Sequence, residues 1–289
     1  MKYAYVESLR GQHAIHKMCA WLNVSRSGYY KWRNRKPSKQ ALQREKVRQA
    51  VILVYEQFKQ RYGAPRIRVE LNEAGIPCSL NHVARLMAES GLKARNGRNF
   101  KFYPSGNAIN HVSDNLLRRN FSASAPNEKW VSDITYIKLE HGFVYLAVIM
   151  DLFSRQIIGW ALDTSMTTEL IIEAFEMAKA RRSVKPGLIL HSDRGVQYRS
   201  SEYQGQLYEQ GIRPSMSRKG NCWDNAAIES FFARMKVESI YAERFQTKDD
   251  AYACVFEYIE LFYNSVRRHS AIDYKSPRQY EEDYYAQCA

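Results

Sequence analysis

Three strand-forming runs follow one another with little between them, and this limits the fold more than any other feature of the chain. They are WVSDITYIKL from Trp130, FVYLAVIMD from Phe143 and QIIGWAL from Gln156. Each is rich in β-branched and aromatic residues, and His141-Gly142 marks a turn between the first two. Links this short join antiparallel neighbours, because a parallel return needs a crossover of a dozen residues or more. A meander is therefore expected. The texture then changes to alternation: a helix from Thr167 to about Arg182, a strand GLILHSD, a helix SSEYQGQLYEQ, a short strand IRPSM and a helix DNAAIESFFARMKVES.

The order βββ-α-β-α-β-α is that of an RNase H-like α/β domain, expected over residues 124–240. Ahead of it the sequence reads as all-α. Residues 1–40 are read as a helix-turn-helix module. Ala14, Ile15, Met18, Cys19 and Leu22 lie at helical spacing, Asn23-Val24 makes the turn, and Ser25 caps a second helix, SGYYKWRNR. That helix offers Arg26, Lys31, Arg33 and Arg35 as DNA-binding residues around Tyr29, Tyr30 and Trp32; an ordinary helical hairpin is the alternative. Residues 41–95 read as a second such module: a helix at about 41–60, another from Arg66 to Glu73, and a third capped by Ser79 and closed by Gly91. Residues 96–123, with Arg98, Lys101, Arg118 and Arg119, read as a basic linker that either lies along phosphates or is disordered. Residues 241–289 form a helical extension, opened by a capping box at Thr247 and Asp250, with a final helix begun by Ser276-Pro277.

Charge separates the halves. The net charge is +13; residues 1–120 hold 23 Lys and Arg against 7 Asp and Glu, and the remainder 20 against 23. A one-sided basic excess draws polyanions and releases counterions on DNA, although a solvated basic surface is the plainer alternative. No apolar run is long enough for a membrane span, and MKYAYVESLR lacks a signal-peptide core. The five cysteines are scattered with no C-x-x-C pair, so neither a disulfide frame nor a zinc site is expected. A cytoplasmic location fits.

Three carboxylates stand out by position. Asp133 sits inside a strand among β-formers, where charge is unusual; Asp193 ends a strand; Glu229 shares one flank of a helix with Lys236, beside the apolar stripe Ile228, Phe231, Phe232 and Met235. Singly these could be a salt-bridged Asp, a turn former and a surface Glu. Together they suit two hard divalent cations clamping an in-line phosphoryl displacement, with Asp133 shared between them. His191, two before Asp193, is assigned to the opposite phase of the strand and read as structural support rather than a ligand.

The motifs W-V-S-D-I-T-Y, H-S-D-R-G-V-Q-Y and D-N-A-A-I-E-S-F-F-A-R-M-K, with 35 residues between Asp193 and Glu229, resemble those of the DDE transposases of bacterial insertion sequences. The likeness is to the OrfB type, whose full enzyme arises by frameshift fusion; retroviral integrases have a similar catalytic core. The resemblance extends through Ser215–Asn221 and through Tyr263-Asn264, Arg267, His269 and Ser276-Pro277. It implies a polynucleotidyl transferase that cuts a transposon end to leave a 3′ hydroxyl and transfers that strand, first to the partner end and then to target DNA. Asp133, Asp193 and Glu229 would be both the catalytic and the metal-binding residues, using two Mg²⁺ (or Mn²⁺) ions. Lys236 would touch DNA phosphate, and Arg218, Lys219, Asn221 and Asn225 would line the DNA path. For the two asparagines, loop and cap hydrogen bonds are the alternative, and Trp223 is read as pinning the loop rather than stacking on a base. The implied partners are terminal inverted repeats, target DNA, further copies of the chain on paired ends, and an upstream OrfA product or fusion, since no apolar heptads run through the first 40 residues. The implied place is a bacterial cytoplasm, at the nucleoid. The alternative function is a transposase-derived DNA-binding regulator with little catalysis.

Overall fold

The computed structural model describes residues 1–95, 113–218 and 222–288, without the side chains of Cys222 and Trp223. Lys219 and Asn221, the basic positions Arg98 and Lys101, and the side chain of Trp223 lie outside the described residues.

The first three helices are α1 (Lys2–Ser8), α2 (Ile15–Trp21) and α3 (Arg26–Arg33). Ser25 Oγ accepts from the backbone N–H of Gly28, and Asn23 takes a left-handed φ of 48° at the turn, as the turn and cap chemistry required. The sequence offers Ala14 to Leu22 as the first helix of this module and gives no sign of α1. Yet Val6 of α1 is fully buried with Met18, Cys19 and Tyr29 in a small separate core. Glu7 of α1 also accepts from the Tyr29 hydroxyl and pairs with Arg33 at 3.4 Å.

Helices α4 (Lys39–Gln57), α5 (Ala64–Glu73) and α6 (Leu80–Glu89) follow. Ser38 and Ser79 cap α4 and α6, and Gly75 and Gly91 leave α5 and α6 through positive φ. Their apolar stripes do not close on themselves. Val51, Tyr62, Ile67 and Leu86 are continuous with a core that runs to one face of the sheet.

That sheet contains β1 (Lys129–Lys138), β2 (Phe143–Asp151), β3 (Ile157–Asp163), β4 (Ile189–Ser192) and β5 (Arg213–Met216) in the order β3-β2-β1-β4-β5. β1, β2 and β3 form the expected antiparallel meander; β4 and β5 join parallel to β1. Strand period two divides β1 between two cores: Trp130 faces one and Val131 and Ile137 the other. The Trp130 face is covered by α7 (Thr168–Arg181) and α8 (Ser201–Glu209). Gly159 permits the close approach of α7, since a Cβ there would collide with the Ala174 carbonyl and Ala178. The Val131 face is covered by α9 (Ala226–Glu238), whose Ile228, Phe231, Phe232 and Met235 are buried as their spacing required.

Beyond α9, the capping box of Thr247 and Asp250 is formed and starts α10 (Lys248–Phe256), which continues as a π-helical stretch over Glu257–Tyr263. The helix α11 (Pro277–Cys288) ends the chain. Asn264 binds both backbone groups of Ile157 on edge strand β3, at 2.9 and 2.8 Å, so the exposed edge is capped.

The segment read as a basic linker behaves differently where it is described, from Ser113 onward. Leu117 is buried, the Leu116 N–H binds Ser215 Oγ at 2.9 Å, and Met216 donates to Asp114 O beside β5. This stretch is packed against the α/β domain rather than free, because its apolar and backbone polar groups find partners there.

Candidate active site

Asp133 and Asp193 are brought together by strand register. β1 and β4 pair Lys129 with Ile189, Trp130 with Leu190 and Val131 with His191. The same offset carried two residues on sets Asp133 level with Asp193, just past the last paired residues and on the α9 side of the sheet. β4 ends there because Asp193 folds into a turn, its Oδ1 accepting from the Gly195 N–H at 2.8 Å. Asp133 Oδ1 accepts from the Ile134 N–H at 2.8 Å. Glu229 lies in the first turn of α9 and is exposed.

All three carboxyls resist ionisation. Burial raises Asp133 well above the usual range, and the charges of Asp193 and Glu229 add to the rise; the Ile134 N–H and Lys236 oppose it. Burial also raises Asp193, against the Gly195 N–H and Arg199, and partial desolvation of the carboxyl raises Glu229 although the residue as a whole is exposed. Among the described residues, no group of three His, Cys, Asp or Glu side chains is arranged to hold an ion as it stands. Asp133 is where they meet electrostatically, since the charges of both other acids reach it. Lys236 acts on Asp133 and holds its Nζ 4.6 Å over the Tyr136 ring, while burial lowers its own pKa.

His191 shares the face of Asp193 rather than opposing it, since residues two apart on a strand point the same way. Its ring nitrogens are nevertheless engaged by Ser215 Oγ at 2.8 Å and Ser217 Oγ at 3.1 Å. Burial lowers its pKa to about 4. It supports the wall of the site and has no nitrogen to spare.

The loop before α9 is held by a residue the sequence reading passed over. Asp224 is fully buried and accepts from Arg218, Arg119 and Asn115. Arg218 holds its carboxyl well below the usual range, against the effect of burial. Arg218 is turned onto Asp224 at 3.1 Å, with its side chain still 57% exposed. Asn225 is 4% exposed and its Nδ2 reaches the Ser132 carbonyl at 3.5 Å, so it fastens the start of α9 to β1 and does not face outward. A D-N pair before a helix suggests local capping, but Asn225 makes no side-chain cap on α9 and both residues bond to distant segments instead.

In the front module Lys31 and Arg35 are exposed, Arg26 lies 5.8 Å over the Tyr30 ring and Arg33 is drawn back to Glu7. The tail motif proves structural. Glu238, the last residue of α9, is buried and receives both arms of Arg267 at 2.7 and 2.6 Å and the Tyr258 hydroxyl at 2.9 Å. Arg61 and Arg95 bind its carbonyl, and Arg66 stands 3.7 Å from its carboxylate.

Known proteins resemble the chain along most of its length. Integrase core domain family models match residues 123–222 and 210–277, and an HTH-like domain model matches 42–100. The chain is 43% identical over 285 residues to "Transposase InsF for insertion sequence IS3A" of Escherichia coli (strain K12), covering 97% of this chain and 98% of that one. It is 39% identical over 272 residues to an "Insertion element IS600 uncharacterized 31 kDa protein" of Shigella sonnei, covering 94% of this chain and all of the other. Among solved structures, the HTLV-2 integrase catalytic core domain in complex with magnesium shares 19% identity at a TM-score of 0.43, over 55% of this chain and 98% of that chain. With an integrase core, an HTH-like region and this identity to InsF over nearly its whole length, the chain belongs to the transposase family of the IS3 insertion sequences.

Proposed function

We propose that the chain cuts a transposon end to leave a 3′ hydroxyl and transfers that strand to a second DNA site, with Asp133, Asp193 and Glu229 as the catalytic and metal-binding residues. The observation that carries this is the meeting of Asp133 and Asp193 at adjacent strand positions with Glu229 acting on Asp133 from α9. The donor set fits divalent cations: the oxygens are hard, burial outweighs the compensation that Lys236, Arg199 and two backbone N–H groups give the aspartates, and the one nearby imidazole is already engaged. Two bound Mg²⁺ or Mn²⁺ ions would activate the attacking oxygen and stabilise the leaving one. Asp133 would be their shared holder, with Asp193 and Glu229 on either side, Asp193 giving up part of its bond to Gly195. Lys236 orients a strand phosphate beside them. The helical modules bind double-stranded DNA at the terminal repeats through Arg26, Lys31 and Arg35, with Lys219 and Asn221 on the DNA path near α9. Paired ends call for at least two copies and engage an OrfA product or its fusion. The site of action is the bacterial nucleoid. Among the described residues no helix is long and apolar enough to cross a membrane.

The test is strand joining by purified protein on a labelled terminal oligonucleotide with magnesium, beside Glu229→Gln and Asp133→Asn. Joined product from the wild type, with at least about 100-fold less from each variant and DNA affinity retained, is the expected result. Binding without joining in the wild type would favour the regulator; joining by Glu229→Gln would remove Glu229 from the site.

A further inference from the structure

Two aromatic rings stand in the open on the β1–β2 hairpin. Tyr136 is 58% exposed and Phe143 is 47% exposed. They meet edge to face, with centroids 5.5 Å apart and planes at 88°. Tyr241, 57% exposed, stands close enough to interact electrostatically with Tyr136. Single exposed rings are ordinary, but a contiguous group marks a contact surface. This group is tied to the carboxylate site: the Lys236 ammonium lies 4.6 Å over the Tyr136 ring and also acts on Asp133.

Position along the strand defines what could lie here. Tyr136 is three residues beyond Asp133 on β1, about 10 Å along the backbone at ~3.4 Å per residue. That is the length of about three stacked nucleotides at ~3.4 Å each. Strand alternation starts the Tyr136 ring toward the other face, and the tie to the carboxylate side is the Lys236 ammonium of α9 lying over that ring. A ring that far from the reacting phosphate, with a cation against it, suits a neighbouring nucleotide of the same strand: the base meets the ring and the phosphate meets the ammonium. Bases inside a duplex have both faces covered by their neighbours and a terminal pair opens only its outer face, so an unpaired base, free to turn either face to the ring, is the better occupant of the platform.

We propose that Tyr136 and Phe143, linked to Asp133 through Lys236, form a stacking platform for an unpaired base of the strand whose phosphodiester lies at the carboxylates. This rests on reading the carboxylates as the site of phosphodiester chemistry. Holding the base open draws the end of the duplex apart next to the bond that is cut.

The test measures binding by the full chain in the presence of a chelator, so that no turnover is involved. The probes are a blunt 20-base-pair duplex and the same duplex with a three-nucleotide single-stranded 3′ overhang carrying 2-aminopurine. Wild type should bind the overhang probe roughly tenfold more tightly and quench its fluorescence. The double change Tyr136→Ala with Phe143→Ala should abolish both the preference and the quenching, with blunt-duplex affinity unchanged. Tyr136→Phe should keep both. Tyr136→Ser alone repeats the comparison if the double variant does not fold. Equal binding of both probes by wild type overturns the platform and leaves the catalytic reading standing. A preference that survives in the double variant, or is lost as fully in Tyr136→Phe, also overturns it. Failure to bind either probe overturns the DNA reading and this inference together.

Discussion

Several polar residues read as binding DNA or lining its path also make bonds within the protein. Arg218 is bound to Asp224, Asn225 to the β1 backbone, and Arg33 to Glu7. His191 is buried and His269 half-buried, and both are held toward the neutral form. His269 is the clearer case for a measurement. Burial lowers its pKa to about 3, and the charges of Arg267, Arg155 and Arg66 push the same way. The unfolded chain therefore takes up this proton near 6.5 while the folded chain resists it to about 3. Stability contributed by neutral His269 is intact above about 6.5 and is lost as pH falls from there towards about 3. Thermal unfolding of wild type between pH 7 and pH 4 should show this loss, and His269→Gln should flatten it. A slope identical in the two proteins would place the acid sensitivity elsewhere, with His191 the next candidate.

At the level of elements, the sequence was most legible where structure is set locally. The caps at Ser25, Ser79 and Thr247, the stops at Gly75 and Gly91 and the three-strand meander all formed where side-chain chemistry required them. Helix α1 was missed because it is short and has no side-chain cap; only packing against Tyr29 makes it a helix. The clamp on the end of α9 was missed for a related reason. Glu238 gives no local sign that it will receive Arg267, Tyr258 and Arg66 from other elements. Removing one member of a buried pair leaves the other charge uncompensated. Glu238→Ala should therefore destabilise by about 3–5 kcal/mol, read by denaturant unfolding. A cost below about 1 kcal/mol would mean the network is dispensable. Because α9 carries Glu229 in its first turn and Glu238 at its last residue, the clamp also links α4–α6 to the position of a candidate catalytic side chain.

For the whole molecule, the second helical module is part of the main core and the first is not. Val6, Met18, Cys19 and Tyr29 form their own cluster, whereas α4–α6 share one continuous core with β1, β2 and α9. Deleting residues 1–37 should shift the main unfolding transition by only a few degrees, and deleting residues 39–95 should lower it by about 10 °C or more through the exposed apolar surface. Calorimetry of the two truncations checks this, and equal effects would contradict it. The sequence by itself determined the succession of strands and helices, the basic front and acidic rear, and the three carboxylates as the unusual residues of the chain. Those follow from side-chain period, cap chemistry and charge, which act within a few residues. Only the tertiary structure decided that Asp133 and Asp193 stand level, that Asp224 and Glu238 anchor the two ends of the α9 region, and that Tyr136 and Phe143 are left uncovered beside Lys236. Register between distant strands and burial between distant helices depend on how whole faces fit together, and no local stretch of chain carries that information.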